Sequence, residues 1–275
     1  MASLRADRLE VPERGLPIGE GIGRQFDYWL TVYKRTWKSS VISSFLSPLL
    51  YVVAMGVLLG ELIDDDPAVL EGAPTYLAFV VPGLIAAHAM QTAVAETTYP
   101  VLGMFKWHKV YDSMIASPLA IRHVVGAHLG FVAFRLATTC AVFMVVITPF
   151  GVFANWWGPF LAFLAQVLVG MSFATLVYAY STRIKSEASF GLLFRLGVFP
   201  LFLFSGAFFP VSNLGEVGAF VARLTPLWHG VNLSRMFCVG NIDWSMAALN
   251  AGYLVVLVLL GWRWSVTGLT KRLIT

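Results

Sequence analysis

Apolar residues in this chain run on for about twenty positions at a time, and the polar ones are gathered into short stretches between the runs. Six runs, at 41–60, 75–95, 122–148, 158–181, 188–209 and 245–262, are long enough, or nearly so, to cross ~30 Å of hydrocarbon as helices of ~20 residues. A backbone inside hydrocarbon has no water to bond and must satisfy itself, which a helix does. The pattern therefore predicts an all-α polytopic membrane protein with six transmembrane helices. Pro200 lacks an N–H and is expected to kink or interrupt the fifth of them.

Three further segments carry patterns of their own. At 22–38 the residues Ile22, Phe26, Trp29, Leu30, Tyr33 and Trp37 recur at helical spacing, with Arg24, Asp27, Lys34, Arg35 and Lys38 largely opposite them. This predicts an amphipathic helix in the membrane interface. It serves either as an anchor alone or also as a surface for a partner. The segment 99–119 is too polar to span, yet it holds Met104, Phe105, Trp107, Val110, Tyr111, Met114 and Ile115 between Pro100 and Pro118. A short amphipathic helix is expected there, docked on a partner or packed under its own bundle. Residues 210–244 hold Val217, Phe220, Val221 and Leu224, then Pro226, Leu227, Trp228, Val231, Leu233, Met236 and Phe237. They predict one or two short helices that dip into the bilayer without crossing it, a re-entrant element. Residues 1–21 form a polar extension with no apolar core of a signal peptide.

Composition narrows the class. Of 275 residues 58% are hydrophobic and 12% charged, about half the charge of a soluble domain, and mean hydropathy is +0.75. A soluble enzyme is excluded. The net charge of +4 reads as topology rather than as nucleic-acid binding. Of the 19 Lys and Arg, seven lie in residues 1–40, three in the second loop, two in the fourth and three in the C-terminal tail, all on one side. The opposite side has Arg223 and Arg235. By the positive-inside rule both termini are cytoplasmic, in the inner (plasma) membrane. The first external loop carries Glu61, Asp64, Asp65, Asp66 and Glu71 without EF-hand spacing, a solvated charge run.

Catalytic patterns are missing. The chain has no Gly-x-x-x-x-Gly-Lys-Ser/Thr loop for ATP, no His-Glu-x-x-His pair for zinc and no Gly-x-Ser-x-Gly elbow. Cys140 and Cys238 suggest neither a disulfide nor a metal site. The histidines 88, 108, 123, 128 and 229 are scattered and read as packing or interfacial residues. Arg135 and Arg195 lie within spans, where each charge opposes insertion by about 2.5–3.5 kcal/mol. Arg195 is near enough to the cytoplasmic end to snorkel. Arg135 is deeper, and either pairs with Glu96 or contacts substrate.

Arg35-Thr36-Trp37 and Phe45-Leu46-Ser47-Pro48-Leu49-Leu50-Tyr51 resemble the start of the membrane subunits of type-2 ABC exporters. Phe204-Ser205-Gly206-Ala207-Phe208-Phe209-Pro210-Val211, followed by Leu224-Thr225-Pro226-Leu227-Trp228-His229, is similar to the signature near the end of the same family. From about residue 22 to the C-terminus the chain most resembles permeases for nodulation lipo-oligosaccharides, and next daunorubicin-type drug exporters. The resemblance implies a permease domain over 22–275 that pairs with a second permease chain and binds a separate ABC ATPase subunit, which holds ATP and Mg. It makes 99–119 a coupling segment, with Lys106, Trp107, His108, Lys109, Tyr111 and Asp112 near the ATPase, and Lys34 and Arg35 of the interface helix beside them. It implies a substrate path along Phe199, Phe202, Phe208, Phe209 and Arg135, with no catalytic or metal residue in this chain. The implied cargo is amphiphilic, a drug-like molecule or a lipid-linked glycan, moved outward among membrane lipids. A stand-alone carrier or channel is the alternative, an intramembrane enzyme a more remote one.

Overall fold

The long apolar runs become long helices. The computed structural model describes residues 17–54, 70–117 and 119–274. The first sixteen residues of the polar extension, the end of the first expected span and the acidic residues Glu61, Asp64, Asp65 and Asp66 lie outside them. In order, the helices are α1 (Ile18–Tyr51), α2 (Tyr76–Thr97), α3 (Tyr99–Lys106), α4 (Val110–Ile115), α5 (Ile121–Ile147) and α6 (Gly158–Ser181). They continue as α7 (Ala188–Leu193), α8 (Phe199–Phe204), α9 (Gly215–Arg223), α10 (Pro226–Val239) and α11 (Trp244–Ile274). The fold is all-α. Among the described residues four helical stretches are long and apolar enough to cross a membrane: Tyr76–Lys106, Ile121–Phe150, Gly158–Ser181 and Trp244–Leu273.

Two expected elements take a different form. The amphipathic segment and the first span are one continuous helix, α1, because neither Gly nor Pro interrupts the chain between Arg24 and Ser47. The apolar stripe of its first half rests on α5, where Trp29 stacks on Phe131 with ring centroids 5.3 Å apart, while Lys34 and Arg35 stay exposed. The fifth run, Ala188–Phe204, is an unbroken helical path whose middle, Phe194–Val198, is a π-helical turn just before Pro200. Widening the turn there lets the proline sit in the first turn of α8, where its missing N–H is not needed.

The bundle is organised around α6, which packs on α2, α5, α10 and α11. Helices at this spacing need small residues where backbones meet. A side chain at Gly261 of α11 would collide with Thr175 of α6, and one at Gly83 of α2 would collide with the Ala207 backbone. Helix ends are set by local chemistry. Thr75 and Thr225 accept backbone N–H groups at the starts of α2 and α10, and Asp243 accepts three hydrogen bonds from Ser245 and Met246 at the start of α11.

Candidate functional site

At one end of the bundle the chain leaves α2, turns at Thr98 and folds into α3 and α4, two short helices joined as an elbow. Lys109 sits at the bend with a left-handed backbone, φ 49°, strained for a residue with a side chain. Lys106, Trp107, His108 and Lys109 stand side by side at the tip and are all exposed. Trp107 is 53% exposed at this tip. Asp112 and Ser113 face outward on α4, and Val101, Leu102, Tyr111 and Met114 face inward. Lys106 bonds Glu187 of the α6–α7 connection at 2.8 Å, joining two loops at this end.

Tyr111 departs from its expected place beside a partner protein. As one of the inward pair on α4 it is fully buried, so its contacts are with the bundle. There it forms the middle of a hydrogen-bond chain. The Tyr178 hydroxyl of α6 donates to the Tyr111 hydroxyl at 2.9 Å, and the Tyr111 hydroxyl meets Nδ1 of His128 on α5 at 2.7 Å. The His128 ring also bonds the Glu96 backbone of α2. With Nδ1 accepting from Tyr111, the other ring nitrogen carries the proton and donates to that carbonyl. Trp29 of α1 covers the imidazole at 4.4 Å. Three long helices, α2, α5 and α6, are thus joined to α4 through one hydrogen-bond chain, with Trp29 of α1 covering it.

Two turns along α5 from His128, Arg135 forms an ion pair with Glu96 of α2 at 2.8 Å with both side chains mostly buried, and lies over the Tyr33 ring at 5.2 Å. Of the two roles open to Arg135 from sequence, the ion pair is the one seen.

The opposite end is closed by α9 and α10. Each is too short to cross a bilayer, at 9 and 14 residues, as a re-entrant pair requires. Arg235 fastens α10 in place. Its guanidinium reaches Glu71 at 2.6 Å, the Phe79 carbonyl at 3.1 Å and the Gly206 carbonyl at 2.7 Å, and it lies over the Phe79 ring at 3.8 Å. His229 and Asn250 add a second tie at 2.7 Å between α10 and α11. The aromatic residues expected along a path separate here. Phe202 and Phe208 meet edge to face at 5.0 Å, Phe199 is on the exposed side of α8 and Phe209 is half-buried. Arg135 belongs to a different part of the bundle, with α2 and α1.

From sequence His128 reads as a packing histidine, Arg235 as a cation of the outer side, Glu71 as part of a solvated charge run and Tyr178 as nothing in particular; the structure instead pairs Glu71 with Arg235 and joins His128 and Tyr178 through Tyr111. A histidine and a tyrosine inside apolar runs were a visible signal, since buried polar groups need partners. Nothing in one sequence could have matched them across separate helices.

These features define an all-helical protein with several helices long and apolar enough to cross a membrane. The chain belongs to the ABC-2 type transporter family, whose model matches residues 26–237. It is 28% identical over 220 residues to Nodulation protein J of Rhizobium leguminosarum bv. trifolii, covering 78% of this chain and 82% of that one. Nodulation protein J of R. leguminosarum bv. viciae is 25% identical over 252 residues, 89% of this chain and 95% of its own. The inner membrane transport permease YadH of Escherichia coli K12 is 24% identical over 207 residues, 73% and 72% of the two chains. No solved structure gives a significant match.

Proposed function

We propose that the chain is the permease subunit of an ATP-driven exporter for an amphiphilic cargo, a drug-like molecule or lipid-linked glycan, in the inner membrane. Both termini and the α3–α4 elbow are cytoplasmic in this reading, because the basic residues gather at that end. The observation that carries it is the elbow itself: an exposed Lys-Trp-His-Lys tip tied to α6, α5 and α2 by a buried hydrogen-bond chain. Such a part is built to take a push at its tip and deliver it to a rigid bundle that has two packed arrangements. A separate ATPase subunit, which holds ATP and Mg, meets Lys106, Trp107, His108, Lys109 and Asp112, with Lys34 and Arg35 alongside. ATP binding there supplies the displacement, and this chain contributes no catalytic group.

A second permease chain, an identical copy or a paralogue, lies against α7 and α8. That face exposes Leu192, Leu196, Phe199 and Phe204 with Arg195 among them. A guanidinium facing hydrocarbon costs about 2.5–3.5 kcal/mol, a penalty that a water-lined path between two chains removes. Cargo passes at this junction, near Phe199, Phe202, Phe208 and Phe209, and α9 and α10 close the exit.

The test is a pull-down of the tagged chain from gently solubilised native membranes, with an assay of vanadate-sensitive ATP hydrolysis. A co-purifying nucleotide-binding subunit with activity is expected. A chain that comes out alone, and moves solute in liposomes without ATP, would instead be a carrier or channel.

A further inference from the structure

A cleft of about 360 Å³ opens where the C-terminal ends of α6 and α11 meet, lined by Arg183, Lys185, Lys271, Arg272, Thr182 and Gly268. Its volume lies within the range of ligand sites. Four of its residues are cationic, and among the described residues no carboxylate is within ion-pair distance of Arg183, Lys185 or Arg272. Both arginines are held in place by backbone carbonyls rather than by acids. Arg183 donates to the Ala179 and Trp264 carbonyls at 2.5 and 2.9 Å. Arg272 donates to those of Thr182 and Ile184 at 3.2 and 2.6 Å and lies over the Phe105 ring at 4.5 Å. A guanidinium has five N–H donors, so each keeps donors to spare after these bonds. Gly268 permits the approach, since a side chain there would strike Thr182 and Arg183.

The position of the cleft says what kind of anion it takes. It is at the same end as the elbow, since Arg272, which lines it, lies over the Phe105 ring of α3. It also sits directly beyond an apolar strip on α11, where Val256, Leu260 and Trp264 are exposed on the helix face that continues to Lys271. Trp264 marks the level at which aromatic rings meet headgroups, and Lys271 comes seven residues, about 10 Å, further along the axis. An acyl chain along that strip puts its phosphate in the cleft. We propose that the cleft binds the phosphate of an anionic phospholipid from the adjoining leaflet, as basic pockets between membrane helices do.

The chain purified in mild detergent can be titrated with dioleoyl phosphatidylglycerol and with dioleoyl phosphatidylcholine, and bound lipid read by native mass spectrometry and thermal shift. Phosphatidylglycerol is expected to bind in preference. Lys185→Gln should weaken it by about fivefold, the share of one surface cation, and Lys185→Arg should restore it. Arg122→Gln removes a cation from the same end outside the cleft and should leave binding unchanged. Among the described residues Lys185 makes no side-chain hydrogen bond or ion pair, so its variants should keep the melting temperature seen in phosphatidylcholine. Equal binding of the two lipids, or an equal loss with Arg122→Gln, overturns the proposal. Full displacement of phosphatidylglycerol by millimolar inorganic phosphate overturns the lipid assignment in favour of a free phosphate ester. Unchanged lipid preference in Lys185→Gln, with loss of a co-purifying ATPase, would make the cleft a protein-docking surface and also overturn it.

Discussion

Arg135 and Glu96 show how a single residue pair can be costly and retained at once. Each charge inside the bundle carries a desolvation penalty, and their 2.8 Å contact offsets most of it. Removing one partner leaves the other buried and uncompensated, which costs about 3–5 kcal/mol. Arg135→Met and Glu96→Leu are each expected to lower the thermal unfolding temperature of the purified chain by many degrees. The double variant should recover most of that loss, because neither charge then remains unmatched. A double variant as unstable as the sum of the two would mean that the pair is not the relevant interaction. If the paired double variant is stable but fails to transport, the charges serve the transport cycle as well as the fold.

At the level of elements the α3–α4 elbow separates two tasks that adjacent residues perform. Trp107 is at the exposed tip, and Tyr111 is four residues on and completely buried. Trp107→Ala is therefore expected to reduce co-purification of the ATPase by tenfold or more while leaving thermal stability within about 0.5 kcal/mol, as for a surface change. Tyr111→Phe should do the reverse. It retains the ring and the docking surface but deprives His128 and Tyr178 of their shared partner, costing about 1–3 kcal/mol and uncoupling ATP hydrolysis from transport. Loss of association in Tyr111→Phe with stability unchanged would refute the division. The aromatic content between Pro100 and Pro118 made a short helical segment recognisable, though as one helix where there are two, and apolar runs too short to span made the short helices α9 and α10 recognisable. The sequence did not reveal that Tyr111 faces inward, because a six-residue helix is too short for a stripe to declare itself. Nor did it reveal the joining of the interface helix to the first span. The periodicity of 22–38 was legible, but what its apolar stripe covers is a tertiary fact: α5 competes with the lipid surface for it, and the interlocked rings of Trp29, Tyr33, Phe131 and Phe134 favour α5.

For the whole molecule the outward faces matter more than the core. Two of the exposed apolar faces, on α11 and on α7 and α8, differ in kind. That of α11 ends in Trp264 and then in basic residues, the order met on passing from lipid into headgroups. That of α7 and α8 carries Arg195 in the middle of its apolar residues, an order that lipid alone does not favour. A two-fold pairing through α7 and α8 would bring equivalent residues of two copies close together near the axis. Disulfides form where Cα atoms come within about 7 Å, so single cysteines can distinguish the two faces. The native Cys140 and Cys238 are buried and provide a quiet background. With an identical copy as the second permease, mild oxidation of membranes containing Leu196→Cys is expected to give a band of twice the chain mass, and Leu259→Cys on α11 should give none. Cross-linking at Leu259 but not at Leu196 would move the second chain to α11, take the cargo junction away from Phe199 and Phe202, and leave Arg195 to reach water by snorkelling along α7.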